Sequence, residues 1–69
     1  MRNNIRVERA VLNISQQELA DRVGVSRQTI NAIELEKYSP SGVLIMKIAH
    51  IFNKPVEEIF SLEDKDWEK

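Results

Sequence analysis

The sequence predicts a single all-α domain built from five short helices. Its 69 residues are 42% apolar and 30% charged, a balance typical of a folded domain with one core. Polar signals for the start and end of a helix recur along the chain. Between these signals, apolar residues recur at intervals of three and four, as on one face of a helix. We therefore predict five helices and no strand.

The first helix is predicted over residues 4–12. It ends at Asn13, a residue that tolerates the left-handed conformation found after a helix. Ser15 opens the second helix, because Ser15 and Glu18 have the spacing of a capping box. Gly24 ends this helix, since glycine adopts a positive φ at little cost.

The third helix is predicted over residues 27–35, with Ser26 as its N-cap. Helical spacing places Ile30 and Ile33 on its inner face. Three polar residues then share the outer face: Arg27, Gln28 and Asn31.

The fourth helix starts at Pro40 and Ser41 and ends at residues 52–53. It carries more apolar residues than one buried stripe needs. The predicted core stripe is Leu44, Ile45, Ile48, Ala49 and Phe52, and a second stripe is Val43, Met46 and His50. Either the second stripe forms another interface, or the helix is central in its own domain.

Pro55 opens a short fifth helix over the sequence VEEIF. Beyond Leu62 the sequence has no apolar period. We therefore expect residues 63–69 to form an acidic tail that frays or is ordered only by a partner.

Charge is distributed unevenly along the chain. The net charge is −1, but residues 1–54 carry eight Arg and Lys against five Asp and Glu, which is net +3. Residues 55–69 carry two Lys against six acidic residues, which is net −4. This asymmetry favours a basic face on the main body with the acidic end turned away from a polyanion, although an acidic tail also simply aids solubility.

Several kinds of site are not expected. The sequence has no cysteine and one histidine, His50, so we predict neither a disulfide nor a metal site, and no cofactor. The N-terminal residues contain no apolar signal segment, and no apolar run is long enough for a membrane span. The expected location is the cytoplasm, without membrane association.

The segment from residue 16 to residue 34 has the pattern of two helices joined by a tight turn. Ala20 allows a close helix crossing, Gly24 supplies the turn conformation, and Val25 fills the space between the helices. The remaining apolar positions of the pattern are Leu19, Val23, Ile30 and Ile33.

These residues resemble the Cro/C1-type helix-turn-helix transcriptional regulators, also called the XRE family. The resemblance extends from about Arg2 to Phe60 and rests on ISQQELADRVGVSRQTINAIE, KYSPS and IAHIFNKPVEEIF. It implies a compact five-helix, lambda-repressor-like DNA-binding domain over residues 1–62. It also implies a homodimer on double-stranded operator DNA, with the third helix as the recognition helix in the major groove.

The resemblance assigns base contacts to the third helix. Arg27 can grip guanine with two donors, and Gln28 can pair with adenine. Asn31 lies one turn further along the same face, Thr29 offers a methyl and a hydroxyl at its flank, and Ala32 leaves room for a thymine methyl.

Phosphate contacts are implied for the start of the second helix and for the loop after the third. The expected residues are Gln16, Gln17, Lys37, Tyr38 and Ser39. The resemblance also implies that Gln16 braces the reading face of the third helix. Such contacts position the protein without selecting a sequence. Lys37 and Tyr38 have an alternative role in closing the loop.

Four further positions follow from the resemblance. Arg9 and Glu34 match a partly buried ion pair that joins the first helix to the third. Glu36 stands where the family often has glycine, so the loop is expected to turn differently. Gly42 stands where leucine is common, which weakens the first turn of the fourth helix.

The expected dimer interface lies at the end of the fourth helix and beyond. Its candidates are Phe52, Val56, Phe60, Leu62 and Trp67. Alternatively, Phe52, Ile59 and Phe60 close the core of the monomer, and this is the role we expect for Ile59.

The predicted function is sequence-specific DNA binding by a transcriptional regulator, a repressor that occupies an operator. The main alternative is a protein-interaction module, such as an antitoxin-like partner, in which DNA binding is secondary. We do not expect an enzyme, because the sequence shows no nucleophile–base pair and no glycine-rich phosphate loop.

Overall fold

The computed structural model describes residues 1–68 and consists mainly of five short α-helices. Two short strands flank them and a 3₁₀ turn follows. In chain order the elements are β1 (Arg2–Asn3), α1 (Ile5–Leu12), α2 (Gln16–Val23), α3 (Arg27–Glu34), α4 (Gly42–Phe52), α5 (Val56–Ile59), β2 (Phe60–Ser61) and the C-terminal 3₁₀ turn (Asp64–Trp67). The all-α fold and the five predicted helices are confirmed.

Serine side chains cap three of the helices, as their positions in the sequence predict. Ser15 Oγ accepts a hydrogen bond from the Glu18 amide at 3.0 Å. At the start of α3, Ser26 Oγ accepts from the Thr29 amide at 3.1 Å. At the start of α4, Ser41 Oγ accepts from the Leu44 amide at 3.2 Å. The Glu18 carboxylate, however, lies 3.7 Å from Arg22 and does not return to the cap. The predicted capping box is therefore only half formed.

One apolar core lies between the helices. Its largest fully buried side chains are Ile5, Leu19, Ile30, Ile33, Ile48 and Ile59. The predicted inner faces of α2, α3 and α4 are confirmed, with Ile45 only partly buried against the core. On α1, Leu12 is 43% exposed, and Ile14, in the following turn, is buried in its place.

A half-buried ion pair ties α1 to the turn between α4 and α5. Glu8 is only 7% exposed, and its carboxylate lies 2.9 Å from Lys54 Nζ. This hydrogen bond raises the pKa of Lys54. No local sequence pattern predicts this pair, because Glu8 and Lys54 lie far apart along the chain.

The prediction of no strand is wrong. β1 and β2 pair antiparallel, with Arg2 opposite Ser61 and Asn3 opposite Phe60. The Asn3 side chain also donates to the Ile33 carbonyl at 2.8 Å, which anchors the N-terminal segment to the end of α3. Strands of two residues are too short to show a period in the sequence, and they form here because tertiary packing brings the chain ends together.

The expectation that the tail frays without a partner is wrong for residues 63–68. The α-amino group of Met1 lies 3.1 Å from Asp66 Oδ2 and 3.3 Å from Glu63 Oε1. Asp66 also accepts the Glu63 amide at 2.8 Å, which closes the 3₁₀ turn. Polar contacts with the other end of the chain thus order a segment that has no apolar period. Lys69, the last residue of the predicted tail, lies outside the described residues.

None of the helices in residues 1–68 combines the length and the apolar character of a bilayer-spanning segment.

Candidate nucleic-acid interface

The turn between α2 and α3 holds the two helices at a fixed angle. Gly24 has φ of 79°, and the amides of Gly24 and Val25 both donate to the Ala20 carbonyl, at 2.9 and 3.0 Å. A Cβ added at Gly24 would meet no atom within 4 Å, so the turn requires glycine for its backbone conformation and not for space. Ala20 is completely buried, as expected for a small residue between two crossing helices.

α3 is amphipathic, with one buried apolar face and one exposed polar face. Ile30 and Ile33 are 0% and 1% exposed, whereas Arg27, Gln28 and Asn31 are all exposed on the outside of the helix. The buried face fixes the rotation of α3 about its axis. The polar face is therefore presented to solvent as a rigid surface.

Thr29 differs from its exposed neighbours on α3. It is partly buried, and its hydroxyl lies 3.0 Å from Ser26 Oγ, the cap of the helix. The hydroxyl has one hydrogen-bond partner within the chain, and the contact of Thr29 with a base stays a prediction.

The two glutamines at the start of α2 have different environments. Gln17 is exposed, and its amide donates to Asp21 Oδ1 at 2.8 Å along the helix. Gln16 is partly buried, and its Nε2 donates to Asn31 Oδ1 at 3.1 Å and to Glu34 Oε1 at 3.4 Å. The Gln16 amide thus links Asn31 to Glu34, and its contact with a phosphate stays a prediction.

The predicted ion pair between α1 and α3 is confirmed. Arg9 Nε lies 2.7 Å from Glu34 Oε2, and Arg9 Nη2 donates to Oε1 at 3.0 Å. The side chains are 16% and 7% exposed. The hydrogen bond to Glu34 raises the pKa of Arg9 against the opposing effect of burial. A third bond, to the Ile14 carbonyl at 3.2 Å, completes the anchoring of the guanidinium.

The loop after α3 turns through Glu36. This residue has φ of 61°, and two bonds close the end of the helix, from the Glu36 amide to Ile33 O and from the Lys37 amide to Ala32 O, both 2.9 Å. This pattern is a Schellman motif, in which glycine is the usual residue at the position of Glu36. The expectation of a different turn is wrong, because the glutamate adopts the conformation that glycine would have.

Lys37, Tyr38 and Ser39 lie in this loop and are exposed. Tyr38 is 50% exposed and lines a surface depression beside Gln28 and Thr29. The structure thus brings the loop next to the exposed face of α3. Tyr38 has one side against the domain and the other in solvent.

Arg6 is a candidate that the sequence analysis missed. It is exposed and lines a polar depression together with Arg9, Gln16 and Asn31. No carboxylate of residues 1–68 forms an ion pair with Arg6, Arg27 or Lys37, unlike Arg9 or Lys54. The sequence signal was available, since Arg6 precedes Arg9 by three residues on α1 and so lies on nearly the same side of the helix.

The candidates for a dimer interface separate into two groups. Phe52 and Phe60 are 6% and 5% exposed in the single chain, so they close its core and expose little surface to a partner. Their assignment to a dimer interface is therefore wrong, and the alternative role in the core of the monomer is the one observed. Ile59 is 1% exposed and lies in the core as expected. Val56 is partly buried, while Leu62 and Trp67 are 60% and 75% exposed.

The tight turn, the buried inner face of α3 and its exposed polar face together define a helix-turn-helix protein. A helix-turn-helix family model matches residues 5–59. The chain belongs to this family, the Cro/C1-type helix-turn-helix proteins, and this membership supports DNA binding in transcription regulation.

Similar proteins occur in archaea and bacteria. An uncharacterized HTH-type transcriptional regulator of Archaeoglobus fulgidus is 49% identical, over 100% of this chain and 99% of the relative. One of Methanocaldococcus jannaschii is 48% identical over 96% of this chain and 100% of the relative. One of Bacillus subtilis is 41% identical over 96% of this chain and 100% of the relative.

Proposed function

We propose that this protein is a sequence-specific DNA-binding repressor that occupies a dyad-symmetric operator as a homodimer. The observation that carries the proposal is the geometry of α3, whose buried isoleucines hold Arg27, Gln28 and Asn31 on one exposed face. In such an arrangement the N-terminal half of the helix enters the major groove. Arg27 and Gln28 then contact base edges, since both side chains offer the hydrogen-bonding groups that the groove distinguishes.

Phosphate contacts would flank this helix. Lys37 and Ser39 are exposed in the following loop, with Tyr38 beside them. Gln17 is exposed in the first turn of α2, and the free backbone amides at the start of a helix favour anions. These groups would fix the position of α3 on the duplex.

A dimer would double the contact area and set the spacing of the half-sites. Two recognition helices related by a dyad meet successive major grooves about 34 Å apart. The exposed Leu62 and Trp67, and the partly buried Val56, are the remaining candidates for the interface. A repressor of this size would act by excluding other proteins from the operator.

Selection from a random pool of DNA fragments tests the proposal. The expected result is enrichment of a dyad-symmetric site whose half-sites are about one helical turn apart. Failure to enrich any sequence would refute the proposed function.

One observation favours a second function, that of a protein-interaction module. Val43 and Met46 are 67% and 68% exposed and line an apolar groove between α2 and α4, away from the polar face of α3. An apolar groove of this kind is typical of a surface that binds another protein. Co-purification with one stoichiometric partner, together with DNA binding of no sequence preference, would support this function instead.

A further inference from the structure

Four side chains form a hydrogen-bonded chain from the interface of α1 and α3 to the exposed face of α3. Arg9 donates twice to Glu34, at 2.7 and 3.0 Å. Gln16 Nε2 lies 3.4 Å from Glu34 Oε1 and 3.1 Å from Asn31 Oδ1. Asn31, at the outer end, is one of the residues that face DNA in the proposed function.

The chemistry of Arg9 and Glu34 determines which atom donates in each bond of the hydrogen-bonded chain. A guanidinium only donates hydrogen bonds and a carboxylate only accepts them. The Gln16 atom next to Glu34 must therefore be the nitrogen, because the opposite orientation would place two acceptor oxygens against each other. The same nitrogen then requires an oxygen on Asn31, since a nitrogen there would bring two donors together.

This direction decides which atom of Asn31 faces outwards. Because Oδ1 accepts from Gln16, Nδ2 lies on the other branch of the amide, and no group within residues 1–68 accepts a hydrogen bond from it. An isolated asparagine on a surface can rotate its amide and present either atom. Asn31 cannot do so without losing the bond to Gln16.

We propose that Asn31 contacts DNA as a hydrogen-bond donor and that Gln16 is the positioning residue that fixes this polarity. The inference rests on the proposed function. In the major groove, guanine, adenine and thymine each present an acceptor, whereas cytosine presents only the N4 donor. The base that faces Asn31 is therefore selected for an acceptor, and cytosine is disfavoured there.

DNA selection with single variants tests the polarity. Asn31→Ala identifies the base position that Asn31 contacts, because the preference is lost there. Gln16→Ala lets the Asn31 amide rotate, so we expect discrimination against cytosine at that position to fall about two- to tenfold, the effect of one neutral hydrogen bond. Glu18→Ala is the matched control: its side chain lies in the same turn of α2 and is 3.7 Å from Arg22, outside both the hydrogen-bonded chain and the proposed DNA contacts, so every base preference should persist.

A paired exchange gives a stronger test. Gln16→Glu combined with Glu34→Gln conserves the net charge and reverses the outer bond, because a carboxylate at position 16 accepts from Asn31 Nδ2. Oδ1 then faces outwards, and we expect the preference to move towards a base donor, adenine N6 or cytosine N4. Circular dichroism shows whether the double variant folds, and the Gln16→Ala result decides the question if it does not.

The outcomes separate the two proposals. A wild-type protein that enriches no site refutes the proposed function and this inference with it. A wild-type protein that enriches a site, while Gln16→Ala lowers affinity evenly and leaves the base preference at the Asn31 position intact, refutes only the inference. Side-chain amide resonances of Asn31 add a readout without DNA: they should shift in Gln16→Ala and not in Glu18→Ala, and equal spectra would refute the hydrogen-bonded chain itself.

Discussion

Replacement of Glu36 by glycine should stabilise the protein. Glu36 ends α3 at φ of 61°, a left-handed conformation that costs an L-residue about 1–2 kcal/mol. Glycine has no such cost, but its unfolded chain is freer, which offsets about 0.4–1 kcal/mol. The expected net gain in the free energy of unfolding is about 0.5–1 kcal/mol, or about 2–8 °C in Tm for a domain of this size.

Chemical denaturation followed by far-ultraviolet circular dichroism measures this gain directly, with Tm as a second readout. Glu36→Ala is the matched control, because it removes the carboxyl group, which lies close to that of Glu63, but keeps a Cβ at positive φ. The reverse exchange, Gly24→Ala at φ of 79°, should lose about 0.5–1 kcal/mol, because the same two effects act in the opposite direction. At Asn53, where asparagine tolerates φ of 54°, glycine should gain less than at Glu36.

Equal stabilisation by Glu36→Gly and Glu36→Ala would refute this reasoning, because the gain would then come from loss of the carboxylate and not from the backbone. No gain with glycine would refute it as well.

Three other predictions concern DNA binding, the ion pair and the chain ends. Lys37→Ala should weaken binding to all DNA sequences alike and reduce the slope of log K against log salt by about 0.9, the effect of one lost phosphate contact; a change in base preference would contradict this role. Glu34→Ala should lower the free energy of unfolding by about 3 kcal/mol, because Arg9 is left nearly buried without a partner, and a loss below 1 kcal/mol in urea denaturation would show that the pair is effectively solvated. The hydrogen bond to Asp66 raises the pKa of the Met1 amine above its ordinary 8.0, so its stabilising contribution is complete below pH 8.0 and disappears as the pH rises through the raised pKa. The Glu63 amide and then the Met1 amine lower the pKa of Asp66 below its ordinary 3.8, so its contribution is complete above that pH and disappears as the pH falls through the lowered pKa. NMR resonances of the C-terminal turn should therefore be constant from about pH 4 to 8 and change outside this range.

Local signals predicted much of the fold and of the candidate site. The serine caps, Gly24 and the apolar spacing of α3 act through residues three or four apart, so they are visible in the sequence and specify the same helices in the structure. The outward direction of Arg27 and Gln28 follows from the same spacing. The Arg9–Glu34 pair was predicted only through the resemblance to a family, since no local rule joins residues so far apart.

The sequence by itself determined the helices, their inner faces and the polar face of α3, because each depends on contacts within one or two helical turns. Tertiary structure alone decided the rest. It paired β1 with β2, joined the acidic C-terminal turn to Met1, and placed Phe52 and Phe60 in the core. It also joined Gln16 to Asn31 through a hydrogen bond of 3.1 Å. These features depend on which distant groups meet when the core closes, and the order of residues along the chain does not encode such contacts locally.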